Sequence, residues 1–163
     1  MNVEQKLQEL RESQNQISNL KKEVVEKSST ILEEFSKGIF LKYPKLESFG
    51  WSQYTPYFND GETCVFQANI DYLSINGENA EESDWYSENK VLNWGTYDRV
   101  NKTYVGRVEE PNQKYNKELV EACEEIRDFL SNFDNDFYLS KYGDHAEITI
   151  TPLGVNVDEC EHD

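Results

Sequence analysis

Val3, Leu10, Ile17, Val24 and Ile31 stand seven residues apart without a break, and Leu7 and Phe35 add the intervening seam at either end. Leu20 and Leu32 flank this stripe, while Gln14, Lys21 and Ser28 make the middle of the second seam polar. An apolar repeat of seven kept over this length predicts one long helix across residues 2–37, of coiled-coil type. Gly38 is placed to end it as a C-cap, so residues 1–38 form a first unit. An amphipathic helix lying on its own domain is the competing reading. Self-association is favoured because the seam is narrow and the segment spans about 54 Å at helical rise. Polar seam positions restrict register and partner number without fixing them.

Beyond "IFLKYPKLES" the period changes. Cys64, Phe66, Ala68 and Ile70 alternate with Val65, Gln67, Asn69 and Asp71, which predicts a strand with one apolar face. Val91–Trp94 and Lys102–Val105 are candidate short strands, with Gly95 and Gly106 as turns. A helix follows from about Asn116, its N-cap, to Phe133, with Leu119, Cys123, Ile126, Phe129, Leu130 and Phe133 on one face. Phe137 and Leu139 on one arm, and Ala146, Ile148 and Ile150 on the other, predict a hairpin turning at Gly143-Asp144. The body, residues 39–157, therefore reads as α+β, a mostly antiparallel sheet covered by one helix, with 158–163 a polar, frayed tail.

Charge divides the chain the same way. The net charge of −16 belongs entirely to residues 49–163, with 24 acids against 8 bases; residues 1–48 carry eight of each. Such a body repels nucleic acid and anionic membranes, whose phosphates need Lys and Arg. It suits a basic protein target instead, although solubility alone also explains an acidic surface. No apolar run is long enough to cross a membrane, and "MNVEQKLQEL" lacks the apolar core of a signal peptide, so a cytoplasmic protein is expected. Cys64, Cys123 and Cys160 are odd in number and widely spaced, which suits reduced thiols rather than disulfides or zinc.

The densest aromatic stretch is "SFGWSQYTPYFNDGETCVF", Ser48 to Phe66. Pro56 favours an extended Thr55, and Asn59-Asp60-Gly61 supplies turn chemistry, so the aromatics fold as a corner over the sheet edge. Trp51, Gln53, Tyr54, Tyr57, Phe58, Asn59 and Asp60 are the candidate recognition residues within it. Asp60 and Glu62 are the one carboxylate pair suited to acid–base work, but no Lys, Arg or His lies near them in sequence. His145 and His162 have no catalytic neighbour in the pattern. "DNDFYLS" begins like a calcium loop without its glycine and glutamate, and "CEHD" is too short to enclose a metal. No cofactor, metal or catalytic residue is expected.

The string Trp51-x-Gln53-Tyr54-Thr55-Pro56-Tyr57-Phe58-Asn59-Asp60-Gly61, followed by Cys64-x-Phe66, resembles a block of uncharacterised bacterial and bacteriophage proteins. The resemblance covers about a tenth of the chain. It implies a phage or bacterial origin and no catalytic role. The function expected is thus non-enzymatic: a homo-oligomer whose acidic bodies hold a basic protein. A phage-encoded inhibitor of a host or defence protein is the concrete version. In it, Glu78, Glu81, Glu82, Asp84 and Glu88 stand in for backbone phosphates. The alternatives are a phage structural or assembly accessory protein, and a small carboxylate-dependent hydrolase using Asp60 or Glu62.

Overall fold

A computed structural model describes residues 3–58 and 60–161. Helix α1 runs over Val3–Lys42, 40 residues, and does not stop at Gly38. A Cβ at Gly38 would meet nothing within 4 Å, so that glycine is not needed for its backbone. What carries the helix past it is burial of Ile39 and Tyr43 against the body. Pro44 then ends it, because proline disfavours the helical conformation in the residue before it.

The body is α+β. Strands β1 (Phe49–Tyr54), β2 (Gln67–Ala68), β3 (Ser74–Ile75) and β4 (Glu78–Asn79) lead into a 3-10 turn at Ala80–Glu82. Then come β5 (Val91–Asn93), β6 (Thr96–Asp98), β7 (Thr103–Val105) and β8 (Val108–Glu110). Helices α2 (Lys117–Leu130) and α3 (Asn135–Tyr142) precede β9 (Ala146–Thr151) and β10 (Gly154–Glu159). The main sheet is ordered β10-β9-β1-β3-β4, with β2 paired to the far end of β1, and every pairing is antiparallel. Strands β5 to β8 stand apart as two small ladders, β5 with β8 and β6 with β7, one nested within the other.

Register places Phe49, Trp51 and Gln53 of β1 opposite Ile150, Ile148 and Ala146 of β9, all on one face. These six are buried and form the floor of the core. The C-terminal half of α1, α2 and α3 roof it, so the helical layer has three members where the periodicity predicts one. From α2 come Leu119, Ala122, Cys123, Ile126 and Leu130, and from α1 Leu32 and Ile39. The opposite sheet face carries Ser52, Glu147, Thr149, Asn156 and Asp158, and none of these is buried. Gly50 sits where β1 and β9 touch; a Cβ there would run into the Ile148 carbonyl oxygen.

Four sequence expectations change. Strand pairing near Cys64 is confined to Gln67–Ala68, although Phe66 is buried and its neighbours exposed: the alternation is real, but no second strand lies alongside. Residues 49–54, expected as a corner, are the central strand. Phe137 and Leu139 lie on a helix, not a hairpin arm. The Asp134 carboxylate accepts from the Phe137 amide at 2.9 Å as N-cap, and Gly143, with φ 85°, closes the other end. The true hairpin is β9–β10, and it takes Asp158 and Glu159 from the expected tail into a strand.

Gln53 joins these parts. Its side chain is fully buried, accepts from Trp51 Nε1 at 3.1 Å, and donates from Nε2 to the carbonyls of Tyr138 and Gly143 at 3.0 and 2.5 Å. One amide thereby ties the central strand to the middle and the C-cap of α3 and gives the buried Trp51 indole its acceptor. Gln53→Ala should lower stability by about 2–4 kcal/mol, since it leaves a cavity and orphaned polar atoms together. Phe58→Ser, at an exposed position, should change it by under about 0.5 kcal/mol. Urea unfolding of the two variants compares them.

Candidate functional site

The aromatic block divides in two. Trp51 and Gln53 belong to the core and offer no surface to a partner, which corrects their placing among recognition residues. Trp51 meets Tyr138 and Tyr142 edge to face, each with ring centroids 5.6 Å apart. Tyr54 is half-buried, Tyr57 and Phe58 are exposed, and Asn59 lies outside the described residues. Tyr57 stacks on the His145 ring at 5.0 Å. Beside it, the Asp144 carboxylate accepts from the Thr55 amide and hydroxyl, both at 2.7 Å, and from the His145 amide at 2.9 Å. This clasp joins the end of β1 to the start of β9. Asp60 and Glu62 sit on an exposed turn and make no ion pair among the described residues.

The expected carboxylate row is gathered around β4 and the 3-10 turn, but part of its charge is already answered. Arg127 holds Glu81 at 3.3 Å and Lys114 holds Asp84 at 2.5 Å. Glu78 accepts from Ser83 and from the Trp85 indole. Glu82 and Glu88 remain exposed. Further round the body, Glu125 of α2 accepts from Lys42 and from the Tyr43 hydroxyl, and both bonds hold its carboxyl below the usual carboxylate range. That contact, which spans 83 positions of sequence, fixes the end of α1 and has no local signal.

Helix α1 carries both buried and exposed apolar side chains. Where it crosses the body, the inward side chains are Val25, Ser29, Leu32, Phe35, Ser36 and Ile39, an ordinary helical face. The seven-residue stripe does not coincide with that face. Seven residues fall about 20° short of two helical turns, so the stripe drifts by about 80° between Val3 and Ile31. Ile31 ends up about 100° around the helix from its buried neighbour Leu32. Val3, Leu7, Leu10, Ile17, Leu20, Val24 and Ile31 are all 48–70% exposed. Phe35 is the exception among the expected seam residues. It stacks on Phe129 of α2, centroids 3.7 Å apart, and so holds the helix to its own body.

No group of three or more His, Cys, Asp or Glu side chains suited to a metal occurs among the described residues. Burial pushes the Cys123 thiol up to about 11, so it is a core group rather than a nucleophile. No described helix is long and apolar enough to cross a membrane.

The Asp144 clasp has a pH signature. Burial opposes its ionisation, but the hydrogen bonds from Thr55 and His145 outweigh it and leave the pKa below the ordinary value. Its contribution to stability is then complete above the unfolded carboxylate pKa, near 4, and is lost as pH falls through the folded one. Asp144→Asn should be less stable than the parent at pH 7, with the difference closing toward pH 2 in thermal unfolding. Set beside known proteins, the chain matches no family model, no curated protein and no solved structure.

Proposed function

We propose that this protein is a non-enzymatic binding protein whose copies associate through α1 and present acidic α+β bodies to a basic protein target. The observation that carries the reading is the exposed stripe from Val3 to Ile31: spaced for a coiled coil, rotated off the body, and left uncovered among the described residues. Apolar side chains in a continuous line along a projecting helix are a hydrophobic surface of the kind that marks association. Lys21 pairs with Asp136 of α3 at 3.5 Å, and N-terminal to it the stripe side chains Val3, Leu7, Leu10, Ile17 and Leu20 stay exposed along about 27 Å of helix. Gln14 and Lys21 in the seam limit which alignments are tolerated.

The excess of 24 acids over 8 bases in residues 49–163 supports a basic partner. A phage-encoded inhibitor that competes with nucleic acid for a host protein is the concrete version. Its support is this charge together with the resemblance of the aromatic block. Binding through such a surface weakens as salt rises.

Ile17→Glu/Val24→Glu places charges in the stripe at positions with no role in the body's core. At high salt the parent should sediment as an oligomer and the variant as a monomer, with an unchanged unfolding midpoint of the body. Equal masses for the two would refute the reading.

A further inference from the structure

Strands β5 to β8 form an arm, residues 90–107 and their flanks, that makes few contacts with the main sheet or its helices. Asn112 ties down its base by donating to the carbonyls of Asp84 and Ser87. Along it, Tyr97 faces Tyr104 across the ladder, Trp94 packs beside Tyr104, and the Arg107 guanidinium lies 4.5 Å from the Trp94 ring centre. This cluster steadies a two-stranded ladder that would be marginal alone. Yet Trp94, Tyr97 and Tyr104 each remain about half exposed, and Val100 and Val105 more so. Its charge is opposite to its surroundings. Residues 90–107 hold Lys90, Arg99, Lys102 and Arg107 against Asp98 alone, a net +3; residues 49–89 and 108–163 together hold −19.

A second unsatisfied surface lies at the far edge of the main sheet. β10 ends the strand order, and all six of its residues are exposed. The Cys160 amide donates to the His145 carbonyl, which sets the phase of the β9–β10 ladder. By antiparallel alternation, the backbone groups of Val155, Val157 and Glu159 point away from β9 toward open solvent. On the core side of this edge, Val155 and Val157 border a groove of about 950 Å³ beside α1. On the other side Glu147 and Asp158 face each other directly, and neither has an ion-pair partner among the described residues. Like charges opposed across a ladder destabilise it unless a cation intervenes.

We propose that the basic aromatic arm of one copy docks edge to edge on β10 of a second copy. Arg99 and Lys102 meet the Glu147–Asp158 pair, and the arm's apolar side chains meet Val155 and Val157. Each surface supplies what the other lacks: a free strand edge on both, aromatic against aliphatic, cations against opposed carboxylates. The acidic body argues against nucleic acid as the occupant, since phosphates would meet −19 around a +3 arm. The contact extends the oligomeric reading above, joining copies by a route separate from α1.

Sedimentation equilibrium of the full chain at low and high salt tests it, with circular dichroism confirming that each variant is folded. Arg99→Glu/Lys102→Glu, and separately Glu147→Lys/Asp158→Lys, should each abolish the salt-sensitive part of the association. Combining the four changes should restore it, because the charges again complement one another. Ile17→Glu/Val24→Glu should remove the salt-resistant part and leave this one, so failure of either contact is read independently. The proposal is overturned if the arm variant associates as the parent does, or if the combined variant is not rescued. It is equally overturned if the parent's association does not change with salt, or if a single-stranded oligonucleotide added to the cell adds its mass to the protein and no second copy does.

Discussion

The arrangement of this protein depends on a mismatch of period. An α-helix repeats every 3.6 residues, and the apolar stripe of α1 repeats every seven. Over one or two turns the two are interchangeable. Over the 40 residues of α1 they separate, and the helix acquires two apolar faces in place of one. Leu32, Ser36 and Ile39 are spaced for the body and are buried by it. Val3, Leu10, Ile17, Val24 and Ile31 are spaced for another helix, and the body leaves them open. Packing on the body, therefore, leaves most of the stripe exposed, because one helix has azimuths enough for both faces.

The body beneath α1 is a sheet finished on one side. Its core face is closed by three helices and stapled through Gln53, whose single amide touches β1 and α3. The other face is polar and in solvent, as is common in antiparallel sheets. With the negative charge gathered on this half of the chain, the two halves divide their roles: the rod carries apolar surface and the body carries charge. The β5–β8 arm breaks that division locally, because a positive, aromatic projection stands out from an otherwise acidic domain.

Much of this is legible in the sequence. The long helix, α2 with its Asn116 cap, the strands β5 and β7, and the α+β class follow from periodicity and turn residues, whereas β6, β8 and the turn at residues 99–102 do not. What was not readable has common physical causes. β1 alternates Phe49, Trp51 and Gln53 inward, but a buried glutamine reads as polar until its partners, the Tyr138 and Gly143 carbonyls, are brought from 85 and 90 positions away. Phe137 and Leu139 fit a strand by alternation; only the cap at Asp134 and the packing of Phe137 and Tyr138 make the segment helical. Among the candidate recognition residues, exposure separates Tyr57 and Phe58 from Trp51. That separation depends on which strand lies beside which, and no local pattern encodes it.

The central claim is that the stripe on α1 is covered by a second copy. Amide hydrogen exchange measured across a dilution series addresses it directly, because an isolated helix of this length is marginal in water. Residues 3–20 should exchange slowly at high protein concentration and rapidly on dilution, while residues 25–42, packed on the body, stay protected throughout. Equal protection of residues 3–20 at every concentration would contradict the account.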